Sequence, residues 1–143
     1  SKRKKSIISL GRRYVAFSSI LNQEYIMKRF RVIKSNEEFR KVYSYGMSRA
    51  NKLLVMYILK NGTEESRFGI SVSKKVGNSI VRHRLTRLIR ESIRLNTGKF
   101  LPGFDIVIVA RTSLKGKGYQ ETESALLHVS QIHGIIKGVS KDD

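Results

Sequence analysis

Residues 71–94 read "SVSKKVGNSIVRHRLTRLIRESIR", and the fold turns on how this stretch divides. Its first residues finish the alternating run "RFGISVS" (67–73), the pattern of a β-strand. "GN" at 77–78 then breaks the chain. Beyond it the spacing becomes helical. With residue 82 set at zero and an advance of about 100° per residue, Val81, Leu85, Leu88, Ile89 and Leu95 share one arc, between roughly 220° and 340°. His83, Arg87, Arg90 and Arg94 fall between roughly 80° and 140°, on the opposite face, with Arg82 and Arg84 flanking them. A strand therefore leads into a helix whose apolar stripe docks on a sheet and whose arginines point away from it.

Working outward, "SNEEFRKVYSYG" begins with a capping box, Ser35 as N-cap and Glu38 three residues on, which predicts a helix at about 36–45. Glu37 and Glu38 sit at the positive end of its dipole, and Gly46 suits a C-terminal stop. "KLLVMYILK" (52–60) is a nearly continuous apolar run rich in β-formers and is followed by "NG". The turn "NGTEES" is expected to join it to 67–73 as an antiparallel hairpin, with a short strand at about 48–51 before it. "LPGFDIVIVA" supplies a turn and a buried strand over Asp105–Ala110, "KGKG" reads as a loop, and "YQETESALLHVSQIHGII" closes the chain as a helix at about 119–136. Its apolar residues are Leu126, Leu127, Val129, Ile132 and Ile136. The expected class is α+β, a compact two-layer sandwich with helices packed on a small sheet.

The 143 residues suit one domain, and the absence of cysteine excludes disulfides, thiolate zinc sites and cysteine nucleophiles. Residues 1–26, "SKRKKSIISLGRRYVAFSSILNQEYI", are rich in Lys, Arg and Ser, and Met27 opens what looks like a fresh N-terminus. We expect 1–26 to be a basic extension outside the domain and 27–143 to form a single domain. No apolar run approaches the roughly 20 residues of a membrane span. A net charge of +18 calls for a polyanionic partner, and 40% hydrophobic residues is too many for a disordered basic tail.

A solvated helix face usually mixes signs, with Lys and Glu paired at i, i+4. Here arginine dominates and only Glu91 offsets it. Arginine carries the planar fork that matches phosphate oxygens, and like charges at this spacing cost stability until a polyanion neutralises them. Phe39 and Tyr43 lie four apart on the first helix, and Tyr57 lies on a strand that can face them. Core packing accounts equally well for Phe39, whereas the hydroxyls of Tyr43 and Tyr57 suit a partly open groove. Basic walls around stacking side chains fit single-stranded RNA. No carboxylate cluster of two-metal spacing occurs. His128 and His133 are five apart, which does not share a helix face, and "KKVGN" lacks the phosphate-loop spacing. The residues thus describe a binder of nucleic acid with no catalytic or metal-ligating set of its own.

"RFGISVSKKVGNSIVRHRLTRLIRE" resembles the signature of the bacterial ribonuclease P protein subunit. That family shows a strand ending in "SVSKK", a "GN" break, and a helix opening with Arg-Asn-Arg/Lys and continuing with Lys-Arg and a further Arg. The matching positions are Lys74, Lys75, Asn78, Arg82, Arg84, Arg87 and Arg90. His83 stands where the family has Asn, and Thr86 where it has Lys. His83 can still donate a hydrogen bond, and Thr86 removes a charge. The resemblance extends over "SNEEFRKVYSYGMSRANKLLVMYIL" and "DIVIVAR" and covers about 28–136.

The resemblance implies an αβββαβα order on a mixed sheet with a left-handed βαβ crossover, a fold shared with a ribosomal protein. It implies assembly, one protein per RNA and in the cytoplasm, with a catalytic RNA that holds Mg²⁺ and removes the 5′ leader of precursor tRNA. Lys74, Lys75, Asn78, Arg82, His83, Arg84, Arg87, Arg90 and Arg94 would meet that RNA. A cleft at Phe39, Tyr43, Tyr57, Arg49, Asn51 and Lys52 would take the single-stranded leader. Three rivals share parts of the pattern. A ribosomal or general RNA-binding protein matches in size and charge but not in the "SKK…GN…R-R…R" spacing. A DNA-binding module would want a recognition helix after a tight turn, or dimer symmetry. A membrane-surface helix would need the apolar face that the strands need for a core.

Overall fold

The computed structural model describes residues 30–138; the expected extension at 1–26 lies outside the described residues. The elements are β1 (Arg31–Val32), α1 (Asn36–Tyr45), β2 (Met47–Ala50), β3 (Leu54–Lys60), β4 (Arg67–Ser71), α2 (Ser79–Asn96), β5 (Phe104–Ala110) and α3 (Tyr119–His133), with short 3₁₀ turns at Thr97–Lys99 and Thr112–Leu114. The class is α+β, as the patterning predicts. The five strands form one mixed sheet in the order β1-β4-β5-β3-β2.

The anticipated hairpin between β3 and β4 does not form. β5 inserts between them, antiparallel to β3 and parallel to β4. Two features account for this. "DIVIVA" is apolar on both faces, and Asp105 through Ile108 are all buried, so this strand takes the centre of the sheet. The "NGTEES" segment arches over its entry instead of closing a two-residue turn. Asn61 donates its backbone N–H to Gly103 O at 3.0 Å, and Ser66 Oγ donates to Leu101 O while accepting from Phe104 N. The polar groups of the loop are thus spent on the incoming strand. β4, α2 and β5 form a parallel crossover unit.

Alternation along the central strands divides the interior. Leu54 and Met56 of β3, Phe68 of β4 and Ile106 and Ile108 of β5 face α2 and α3, meeting Leu85, Ile89, Ile93, Leu126 and Val129 in the main core. Val107 on the other face joins Ile33 and Val42, with Phe39, Tyr57 and Leu59 packed around them. The two-layer sandwich therefore describes the α2/α3 side, and α1 adds a partial third layer on the opposite face. On α2 the buried arc runs through Leu85, Ile89, Ser92, Ile93 and Asn96. Leu95, expected in the stripe, is 56% exposed, while Ile93 takes its place in the core. The buried face is turned by a fraction of a turn from the predicted arc, because Ser92 and Asn96 satisfy their own polar atoms on Leu88 O, Ile89 O and Ser92 O and so tolerate burial.

α1 ends at Gly46, but its backbone is extended there (φ −81°, ψ 163°), not left-handed. Glycine is required for another reason. A Cβ at Gly46 would lie 2.5 Å from Val42 O and 2.8 Å from Ile58 O, two backbone atoms that cannot move aside cheaply. α3 ends at His133, three residues before the predicted limit of 136, and is capped by Gly134 in the left-handed region (φ 76°). The following chain returns to the core through Ile135 and Ile136.

Candidate nucleic-acid interface

The "SKKVGN" segment forms a turn that opens α2. Val76 is buried at 4% and anchors it, its N–H donating to Ser73 O at 3.0 Å, and this leaves Lys74 and Lys75 exposed. Asn78 is the N-cap of α2: its Oδ1 accepts from Val81 N at 2.9 Å. The arginines beyond it fall into two groups. Arg82 is half-buried and donates Nε to Gly77 O at 3.2 Å, Arg84 donates Nη2 to Lys117 O at 2.8 Å, and Arg94 pairs with Glu91. Arg87 and Arg90 are exposed and have no ion-pair partner among the described residues, and His83 is exposed between them and the cap. Thr86, at the departure from the family motif, donates its hydroxyl back to Arg82 O at 2.8 Å.

On the opposite face of the sheet α1 overhangs only part of the strands. The row Gly69–Val107–Tyr57–Ser48 runs across them, and the next row, Ser71–Val109–Val55–Ala50, lies one pleat farther on. None of the four residues in this second row is fully buried. Tyr43 stands over the boundary, its ring 4.9 Å from that of Tyr57 at an interplanar angle of 81°, and 6.3 Å from Phe39. The three predicted aromatics are thus brought together, Phe39 and Tyr43 from α1 and Tyr57 from β3, the strand beside the central β5. Tyr43 is the open member, at 38% exposure. Phe39 belongs to the second core. Ser71 ends β4 where the chain enters the lysine turn, so the strip of open sheet runs toward the start of α2.

Phe39 depends on Gly69. A Cβ there would come within 2.6 Å of its ring Cζ and 2.8 Å of Cε1. Gly69→Ala is expected to displace the ring and destabilise the chain by about 2 kcal/mol, read as a lower urea midpoint. The double variant Gly69→Ala/Phe39→Leu should regain part of the loss; equal midpoints for Gly69→Ala and the parent would refute the contact.

The remaining predicted cleft residues separate. Arg49 stands across from Met56, on the α3 face of the sheet, whereas Ser48 stands across from Tyr57. A strand points alternate residues to opposite faces, so Ser48, not Arg49, borders the aromatic row; counting from the end of β2 would have found it. Asn51 has both ends of its amide engaged within the chain. Its Oδ1 accepts from Leu53 N and Leu54 N, and its Nδ2 lies 2.8 Å from Ala125 O and 3.2 Å from His128 Nδ1. Lys52 is exposed beside it. His133 is buried, with Nε2 donating to Met56 O at 2.8 Å.

A basic segment that the charge reading passed over also belongs here. Arg111 Nη1 donates to Asn51 O at 2.8 Å, and Ser113 Oγ donates to Lys52 O. With Arg84 on Lys117 O, these bonds fasten the "RTSLKGKG" loop between the β2–β3 turn and α2. Arg111, Lys115 and Lys117 in one short loop were the available signal.

α1, which carries Tyr43, is held to the sheet by charge. Arg67 of β4 donates to Glu38 Oε2 at 2.7 Å and, through Nε and Nη2, to both oxygens of Asp105 at 2.9 and 2.6 Å. The Arg67 hydrogen bond, followed by the Ser35 N–H of the capping box, holds the Glu38 carboxyl at about 2. Burial pushes the Asp105 carboxyl up, but Arg67 and Asn61 outweigh it and its pKa falls below the ordinary value. No group of three or more His, Asp or Glu gathers among the described residues. Among the described residues no helix is long and apolar enough to cross a membrane.

Comparison with known proteins finds relatives that match most of the chain. The family model for ribonuclease P matches residues 27–133. The ribonuclease P protein component of Lachnoclostridium phytofermentans is 56% identical over 110 residues, covering 77% of this chain and 95% of that protein. The structure of the Staphylococcus aureus RNase P protein superposes with a TM-score of 0.69 at 35% identity, over 77% of this chain and all of that one (100%). That of the Thermotoga maritima RNase P protein gives 0.66 at 32% identity, over 71% of this chain and 96% of that one. Extent, identity and fold agree: the chain belongs to the ribonuclease P protein family.

Proposed function

We propose that this chain binds the catalytic RNA of ribonuclease P through α2 and the lysine turn, and receives the single-stranded 5′ leader of precursor tRNA on the open strip beside Tyr43 and Tyr57. It thereby assists Mg²⁺-dependent removal of the leader. The observation that carries this is the pair Arg87 and Arg90, exposed on a rigid helix with no carboxylate partner among the described residues. Such a face is self-repelling alone and neutralised by phosphates. Lys74, Lys75, His83 and the half-buried Arg82 flank it at the helix start. Ser48 replaces Arg49 as a cleft residue, and Asn51 serves the cleft by fixing the turn that presents Lys52.

The strip recognises by stacking and by the hydroxyls of Ser48 and Tyr57, which tolerates many leader sequences. The chemistry at the scissile phosphate is left to the RNA, which would also hold the Mg²⁺. The chain adds positive charge between two polyanions, in one copy per RNA in the cytoplasm. Its contribution should therefore grow as Mg²⁺ is lowered. The test is 5′ processing of a precursor tRNA by the family's catalytic RNA across a Mg²⁺ series, with and without this chain. Cleavage restored at the mature 5′ end at low Mg²⁺ is the expected result. An equal benefit at every Mg²⁺ concentration would contradict the electrostatic account, and no benefit with RNA binding intact would favour a general RNA-binding role.

A further inference from the structure

A pocket of about 590 Å³ lies between the β2–β3 turn and the first turns of α3. Its apolar floor is Leu53 and Ala125, and Lys52, Lys117 and His128 stand around it. Glu121 is the one carboxylate in the lining, and its Oε1 is occupied as an acceptor for Gly118 N at 2.7 Å. The polar frame is set in advance. Asn51 Oδ1 accepts two backbone N–H groups, so Nδ2 is the end that meets His128. His128 Nδ1 then accepts from that amide, which leaves Nε2 as the ring's donor toward the pocket rim. The backbones of Lys52 and Lys117 are pinned by Ser113 and Arg84. The Arg84 bond also makes the rim continuous with α2.

We propose that this pocket takes a single nucleotide of RNA turned out of its stack, the base on Leu53 and Ala125 and the phosphate between Lys52 and Lys117. The volume falls in the range of small-molecule sites, roughly 300–1,000 Å³, and an unstacked base needs an apolar platform with donors at its edge. An acidic peptide would use the lysines but leave the floor empty. The inference rests on the RNA-binding reading of the chain and adds a second point of contact to it.

The test is a chemical-shift titration of the full isotope-labelled chain with adenosine 5′-monophosphate and, separately, inorganic phosphate at equal ionic strength. The nucleotide should move the amides of Leu53, Ala125 and His128, and phosphate only those of Lys52 and Lys117. Ser124→Leu, at an exposed position on the rim, should abolish the nucleotide shifts. It should also weaken binding about tenfold in one of two arms, catalytic RNA alone or precursor tRNA added to the reconstituted ribonucleoprotein; the weakened arm identifies the source of the nucleotide. Nucleotide shifts no wider than those of phosphate overturn the proposal. So does wild-type affinity of Ser124→Leu in both arms. Failure of the parent chain to bind either RNA would instead overturn the RNA-binding reading itself.

Discussion

An Arg67→Met protein is expected to melt roughly 10–20 °C below the parent at neutral pH, a loss of about 3 kcal/mol. Methionine keeps most of the length of the stem, so the loss is mainly one of charge and hydrogen bonds. Asp105 is 6% exposed. Without Arg67 it keeps only the Asn61 amide, at 3.0 Å, and is left as an inadequately compensated charge beside the central strand. The pH dependence gives the sign. Both carboxyls titrate below their ordinary values in the folded chain, Glu38 at about 2 instead of 4.5. Groups with depressed pKa contribute stability that is fully present above the ordinary pKa and lost as pH falls through the folded one. The gap in melting temperature between parent and variant should be full at pH 6–7, shrink below about pH 4.5 and nearly close by about pH 2. Calorimetry over a pH series measures it. A gap that stays constant down to pH 2 would mean that packing of the arginine stem, not its charge, holds α1. Because the same bonds fix the helix that carries Tyr43, the variant should also bind the leader more weakly than the catalytic RNA.

How much of this was legible in the sequence follows from which interactions are local. The cap of α1 was readable because Ser35 and Glu38 satisfy each other's backbone within three residues. The strand-to-helix change at residue 78 was readable because the hydrophobic period itself changes there. Strand pairing was not. "NG" after an apolar run is a hairpin signal only if the next strand has no better neighbour, and β5, forty residues on, offers β3 and β4 a more apolar edge than they offer each other. Gly46 was read as the stop of the first helix and is its C-cap, but one of the two contacts that demand a glycine there, Ile58 O, lies on β3 and was not legible.

The site divides in the same way. The direction in which an arginine points follows from helix period, so Arg87 and Arg90 could be placed on the open face. Whether an arginine is already engaged depends on distant backbone, and the bonds from Arg84 to Lys117 O and from Arg111 to Asn51 O join residues far apart in the chain. Asn51 shows the limit most clearly. A polar side chain beside a lysine in a turn suggests a ligand contact, but its amide spans from the turn to Ala125 and His128 on α3. Its structural role was invisible until the two elements met.

These distinctions decide what the arginines should do when removed. Arg87→Ala and Arg90→Ala are each expected to weaken binding of the catalytic RNA about tenfold, and together roughly 100-fold, with the salt dependence of log K reduced by about one per arginine. Neither side chain supports the fold. The melting temperature of the double variant should equal that of the parent or rise slightly, because it relieves repulsion along α2. Arg94 tests the argument from the other side. It lies on the same predicted face but pairs with Glu91 across one turn, so its charge is partly offset before RNA arrives, and Arg94→Ala should weaken binding less than Arg87→Ala. Arg82→Ala should lower affinity and stability together, because its Nε also closes the start of the helix on Gly77 O. Filter-binding isotherms at several salt concentrations, beside thermal melts of the same proteins, separate these cases. If Arg87→Ala and Arg90→Ala left both the affinity and the salt slope unchanged, the open face of α2 would be a solvated surface, and the RNA contact would have to be sought on the lysine turn and the loop that carries Lys115 and Lys117.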